Sequence, residues 1–413
     1  PTAAKLFAYI RNRRLFSIDR AEAATYADLF RFLNSGFAVL ILEGADKALV
    51  FGVQGYDKRS VSEPTGENNI MGAKDGFIEV VRVNMSLLRR RMKSPQLKLE
   101  LFVKGSKSQT DLCLCYMADR VPKKLIQRIK ARLDTMELES ILSSGYVQPF
   151  LENRRGCFFN TVGTTQRPDV LCAKLLEGRV GLLIDGTPFA LVIPKLFCES
   201  FQTMDDYCYH PVYTTFIRWI KYAAFLVAVL LPSLYLAVAL HHPELLNRTL
   251  LLILADAEQN APLSLTAETV GVLLVYEMIR EAGLRLPKAV GGAVSIVAGL
   301  IIGDAAVSSG LISTPMLTVT AIAVISGFVI PDLNTSITLL RLAFLFAGGI
   351  WGLFGISLLG AAVLFNLCAG ESFGFPIMAP VAPLYRKGLR DTLTRVSFRK
   401  MQSGNFTVEE YHE

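Results

Sequence analysis

Residues 289–330 read AVGGAVSIVAGLIIGDAAVSSGLISTPMLTVTAIAVISGFVI, and Asp304 carries the only charge among them. Two more uncharged runs flank this stretch, at 222–240 and 342–370. About 20 consecutive apolar residues, wound as helix, match the hydrocarbon thickness of a bilayer. These runs predict an all-α polytopic membrane domain over 214–385. Residues 1–213 carry mixed charges, short apolar runs and frequent turn residues, which predicts a soluble α+β or α/β half ahead of it. A carboxylate inside a membrane segment is expensive to keep, so Asp304 is the first candidate for function.

Hydropathy places four spans, at about 216–240, 289–311, 315–331 and 342–369. Segment 245–283 mixes short apolar runs with Glu268, Glu277, Arg280 and Glu281. It is expected as a re-entrant or interfacial pair of helices, a fifth crossing being the other reading. An even number of spans returns the basic tail at 386–413 to the side of the N-terminal half, as the positive-inside rule asks. That tail holds Arg386, Lys387, Arg390, Arg395, Arg399 and Lys400. With a net charge of +7, the basic segments are expected to meet anionic lipid headgroups rather than nucleic acid. Pro232 interrupts the first span and frees a carbonyl that a neighbouring group must satisfy.

The second span has two distinct faces. At about 100° per residue, Gly292, Ser295, Gly299 and Gly303 form one stripe of small residues, and Gly299 with Gly303 is a G-x-x-x-G pair that lets helices approach. Asp304 lies on another face, with Val297, Ile301 and Ser308. A ring of identical subunits would bury the first face and turn the second to a lumen, where acidic rings favour cations. In the other reading Asp304 caps a neighbouring helix or pairs with Arg341 or Arg280. The sequence leaves both open.

In the soluble half, two lobes are expected, at about 37–145 and 146–213. Residues 37–42 and 47–53 read as a hairpin turned at Gly44, Ala45 and Asp46. Strands are expected at 97–103, 112–117, 170–176, 180–184 and 189–193, with a helix at 122–136 whose Leu125, Ile129 and Leu133 share a face. A glycine-containing segment at 72–79 lacks the spacing of a phosphate loop. It leads to Arg89, Arg90 and Arg91, which either contact a partner subunit or form a solvated helix end whose dipole favours cations.

No apolar run follows Lys5, Arg11, Arg13 and Arg14 as a signal peptide requires, so the soluble half is expected to be cytoplasmic. The seven cysteines show no C-x-x-C spacing and predict neither a disulfide framework nor a metal site. His210, His241, His242 and His412 have no Ser or Cys partner at a recognisable motif. No enzyme activity, cofactor or metal is expected.

Several segments together identify a resemblance: DKALV at 46–50, Lys58, Arg59 and Ser60 before Glu63 and Pro64, GAKDGFIE at 72–79, Asn84, and LRRR at 88–91. LEGRV at 176–180, DGTPF at 185–189, Phe201, EAGLRLP at 281–287, SIV at 295–297, IGDAAV at 302–307, SFG at 372–374 and Pro380 continue it in order. The chain resembles the GerA-type family, the A subunits of bacterial spore germinant receptors. It departs in the short extension before Phe37 and in Asp304, where a polar but often uncharged residue is expected. The resemblance implies a multi-pass protein of the inner spore membrane that self-associates, as a pentamer, with a nutrient-binding B subunit and a lipoprotein C subunit. It implies a nutrient-gated path for monovalent cations that triggers germination. A different class of function is a non-conducting scaffold or signalling subunit, of the kind a paralogue linked to dipicolinic-acid release would represent. Secondary transport is disfavoured because no duplicated half is found.

Overall fold

A computed structural model describes residues 3–13, 20–52, 59–64, 66–67, 69–152, 157–260, 262–286, 299, 303–385, 388–397 and 399. Two helices, α1 (Ala3–Arg13) and α2 (Tyr26–Asn34), accompany a small antiparallel sheet in the order β1 (Arg20–Ala23), β3 (Ala48–Phe51), β2 (Ala38–Leu40). The expected hairpin is β2 and β3, with Leu40 opposite Leu49 and Ala38 opposite Phe51.

The main sheet has five antiparallel strands in the order β4 (Leu97–Lys104), β5 (Thr110–Met117), β7 (Val180–Ile184), β8 (Ala190–Ile193), β6 (Gly163–Thr165). Successive strand residues point to opposite faces, and β5 shows what each face meets. Leu112, Leu114 and Tyr116 join the core under α4 (Lys123–Asp134) and α5 (Ser144–Leu151). Cys113, Cys115 and Met117 join the core under α3 (Val81–Arg91) and α6 (Pro168–Leu176). The N-terminal half is therefore a sheet covered by helices on both sides, which explains why its central strands are apolar throughout.

Two expectations are corrected here. Residues 170–176 form α6 rather than a strand. Pro168 stands in its first turn, Asp169 accepts from the Val170 N–H at 3.0 Å, and Leu171 and Leu175, one turn apart, enter the core. Gly181 on β7 is the matching surface, since a Cβ there would lie 2.7 Å from Leu171 Cδ1. The two lobes divided near residue 145 share one sheet, because β5 pairs with β7 across that boundary.

The helical half contains α7 (Pro211–His241), α8 (Arg248–Asn260), α9 (Leu265–Arg285), a helical stretch at 303–308, α10 (Thr314–Phe328) and α11 (Asn334–Ala369). Two segments, 211–241 and 331–369, are long and apolar enough to cross a membrane. The expected single span at 342–369 is corrected by the backbone of Gly352, whose φ of 60° and ψ of −145° are not helical. There α11 doubles back. Ser336 Oγ donates to the Phe158 carbonyl at 3.0 Å, and the Phe158 N–H donates to Asn366 Oδ1 at 3.3 Å. Thirty residues of unbroken helix would separate Ser336 and Asn366 by about 45 Å. α11 is thus a helical hairpin with limbs 334–351 and 353–369. Hydropathy counts apolar residues and is blind to such a reversal.

The first limb runs alongside α7 in the same direction. Arg341 reaches Ala228, Gly348 faces the Ser233 carbonyl, Gly349 faces Leu236 and Gly352 faces His241. α10 and α9 run the opposite way, with Met316 and Leu265 packed near Leu345 while Gly327 lies against Ile337 and Glu277 reaches Thr338.

The chain then returns to the sheet. β9 (Glu371–Ser372) and β10 (Phe375–Pro376) form a short ribbon, and Phe373, Phe375 and Ala379 join the core beneath α4. Residues 371–379, assigned by composition to the membrane domain, are packed against the main sheet instead.

Candidate functional site

Three groups of polar side chains stand out where apolar packing would be expected. The first lies in the helical half. Arg341 is only 4% exposed. Its Nε donates to the Ala228 carbonyl at 2.7 Å and its Nη2 to the Ala323 carbonyl at 3.3 Å. Ala228 is the residue four before Pro232, so its carbonyl is the one that proline's missing N–H leaves unpaired. Ala323 lies near the C-terminal end of α10, where the helix dipole favours a cation. Gly327 leaves room for the guanidinium, since a Cβ there would lie 3.3 Å from Nη2. A single side chain thus ties α7, α10 and the hairpin together.

Nearby, Glu277 pairs with Arg280 at 2.6 Å and accepts from Thr338 Oγ1 at 3.0 Å, joining α9 to the hairpin. At the other end of α9, buried Glu268 accepts from both the N–H and the hydroxyl of Ser313, at 2.6 and 2.7 Å, and so caps α10.

The second group is Asp304 and its surroundings. Asp304 and Ser308 are exposed and lie one turn apart on the 303–308 helix. Ser308 Oγ donates to the Ala305 carbonyl at 3.3 Å. Arg341 and Arg280, the cations offered as partners for Asp304, are engaged as described above. Gly303 makes only an ordinary approach to Leu317, and Gly299 faces open space within this chain. Val297, Ile301, Gly292 and Ser295 lie outside the described residues.

The third group joins the two halves. Arg218, fully buried at the base of α7, donates Nε to Asp206 at 3.0 Å and pairs with Asp391 at 3.1 Å. Lys221 reaches the same Asp206 at 3.4 Å, and Tyr207 donates its hydroxyl to Asp391 at 2.8 Å. Trp219 Nε1 donates to the Leu393 carbonyl, and the Arg395 N–H to Thr215 Oγ1, both at 3.0 Å. The tail is thereby fastened to the end of α7 that faces the sheet. The strap that follows the hairpin is fastened too. Arg128 Nη1 donates to the Phe373 carbonyl at 2.7 Å, Arg132 stacks 4.2 Å above the Phe373 ring, and Ser372 Oγ donates to the Thr161 carbonyl at 3.0 Å.

The arginine run at the end of α3 is largely occupied within the chain. Arg90 and Arg91 both pair with Asp75, Arg90 at 2.5 Å, and Arg89 Nη1 donates to the Ser94 carbonyl at 3.3 Å. The neighbouring motif residues hold backbone in place. Asn84 exchanges two hydrogen bonds with Ile78, and Asp185 accepts from the Val81 N–H at 2.9 Å. Sequence reasoning undervalued Arg341 and passed over Gly348, Gly349 and Gly352, although a charge and a glycine cluster inside apolar runs were there to be read.

Taken together, a mixed α/β half is bolted to a bundle containing two segments apolar enough to cross a bilayer. Comparison with known proteins gives the family. The family described as Bacillus/Clostridium GerA spore germination protein matches residues 3–405. The chain belongs to it. Among curated relatives, spore germination protein KA of Bacillus subtilis is 37% identical, over 89% of this chain and 68% of that protein. The uncharacterized membrane protein YfkQ of B. subtilis is 36% identical, over 89% and 72%. Stage V sporulation protein AF of B. subtilis is 27% identical, over 94% and 79%. A crystal structure of the N-terminal domain of the A subunit of the Bacillus megaterium spore germinant receptor GerK3 matches at 32% identity, covering 48% of this chain and 69% of that one, with a TM-score of 0.25.

Proposed function

We propose that this chain is the membrane-embedded A subunit of a spore germinant receptor, and that copies of it surround a nutrient-gated cation path. Exposed Asp304 carries this reading: a carboxylate on a helix within the least charged stretch of the chain suits a water-filled lumen far better than lipid. The apolar windows of 211–241 and 331–369 are each only 39% buried within the chain, whereas the core helix of a soluble protein is mostly covered. Leu339, Phe346 and Ile350 on the first limb, and Phe354, Leu358 and Phe365 on the second, are exposed at helical spacing. Large apolar side chains exposed in such number suit contact with lipid or another subunit. Exposed Tyr213, Phe216 and Trp219 at the base of α7 suit a membrane interface.

In this reading α7, the span read from sequence at 289–311, α10 and the two hairpin limbs cross the bilayer, and α9 follows the other reading of 245–283, a crossing rather than an interfacial helix. The soluble half and the tail then share the cytoplasmic side of the inner spore membrane. Five copies, a nutrient-binding B subunit and a lipoprotein C subunit complete the receptor, and monovalent cations leave through it. The tested change is Asp304→Asn in the assembled receptor. Ion release on nutrient addition should change in rate or selectivity while the complex stays intact. Unchanged release from an intact Asp304→Asn complex contradicts a role for Asp304 in the path.

The junction of Arg218, Asp206 and Asp391 favours a second reading, in which the chain only transmits a signal from sheet to helices as a scaffold. Likeness to Stage V sporulation protein AF is compatible with it, but at 27% identity it supports the scaffold less than the 37% identity to spore germination protein KA supports the receptor subunit.

A further inference from the structure

We infer that Arg341 is a pin that fixes the resting arrangement of α7, α10 and the hairpin, by taking the carbonyl that Pro232 frees. Three observations converge on it. The guanidinium is buried with no carboxylate among its hydrogen-bond partners in the described residues, and it donates to two main-chain carbonyls on two other helices. One of those carbonyls, Ala228, is the single acceptor in α7 that proline deprives of its own helical donor. The space around the guanidinium is cleared by Gly327, and the α7–hairpin crossing above it is held close by Gly348, Gly349 and Gly352.

A buried charge whose acceptors all belong to other elements has a definite consequence. Sliding or tilting α7 against the hairpin strands both the cation and the Ala228 carbonyl unpaired in an apolar bundle, and each unpaired group is penalised there. The bundle therefore has one arrangement in which these groups are satisfied. Movement out of it requires Arg341 to withdraw and find other acceptors. Charged groups near the pin are Glu277 and Arg280 on α9, and these are already paired with each other. The inference rests on the reading of a gated membrane subunit for its functional consequence, but not for its structural content.

The test is a rescue experiment on the full-length chain in lipid nanodiscs, read as the thermal unfolding midpoint. Arg341→Met should lower the midpoint in the native background. In the Pro232→Ala background, the introduced alanine supplies its own N–H to the Ala228 carbonyl, so the same substitution should lower it by less. Equal losses in the two backgrounds overturn the pin. Should Arg341→Met fail to fold, Arg341→Lys in both backgrounds gives the same comparison with the charge retained. Under the gated reading, Arg341→Lys vesicles should also release ions without nutrient at a rate above wild type. If wild-type receptor releases no ions under any condition, the gated reading fails while the midpoint comparison still decides the pin.

Discussion

At the scale of single residues, the buried charges divide into those that hold the fold and those that decorate it. Glu199 receives Lys174 Nζ at 2.9 Å and Arg179 Nη1 at 2.5 Å. Burial opposes its ionisation, but the charges of Arg179 and Lys174 prevail, and its carboxyl titrates at about 2. A carboxyl with a lower pKa folded than unfolded, where about 4.3 is normal, stabilises the fold above that unfolded value and loses this contribution as pH falls toward 2. Glu199→Gln should therefore destabilise the protein at pH 7, by no more than about 3–5 kcal/mol, since two buried cations lose their shared carboxylate and keep the more exposed Glu177. Its melting temperature should also fall less than that of wild type between pH 5 and pH 2. Arg90→Ala, which removes one exposed partner of Asp75, should change stability by no more than about 1 kcal/mol. Thermal melts of both variants across pH check these outcomes. Little of this was legible beforehand: the sequence shows which residues are charged, whereas pairing of Glu199 with residues 20 and 25 positions away is created by the sheet.

At the scale of elements, legibility followed the strength of the local pattern. The helix at 123–134 declared itself through Leu125, Ile129 and Leu133, and the hairpin of β2 and β3 through its turn residues. The seven residues of 170–176 are too short and too apolar for periodicity to separate strand from helix. Pro168 and Asp169 just before them were the better guide. The hairpin of α11 was invisible because the backbone angles of a single residue, Gly352, make it. A non-glycine residue at φ of 60° is strained, and a Cβ at Gly352 would also lie 3.0 Å from His241. Gly352→Ala should thus destabilise the helical half by about 1–3 kcal/mol, seen as a lower unfolding midpoint in nanodiscs. Phe373→Ala, which empties a site beneath Arg132 in the soluble core, should cost about 3–5 kcal/mol. It should raise hydrogen exchange in the strap at 371–379 before it does so in β5.

At the scale of the whole molecule, the chain leaves the sheet at α7 and re-enters it at β9, so sheet and bundle are joined at both ends. A displacement of the soluble half must then reach α7 and the hairpin together, which is what a subunit that converts a partner's signal into movement requires. The proposed crossing of α7 sets the sidedness of its two ends. With Cys368, the other exposed cysteine, replaced by serine, exposed Cys208 at the base of α7 should react with a membrane-impermeant thiol reagent from one face of a vesicle, and Glu244→Cys with Cys208 also replaced by serine only from the other. Labelling of both from one face would contradict α7 as a crossing. Whether copies of this chain form a cation path is decided by ion flux through vesicles holding the purified assembled protein, alone and with its receptor partners. A cation-selective flux that Asp304→Asn alters is expected. Absence of flux from verified oligomers in the presence of partners and nutrient would contradict it and leave the chain as a scaffold.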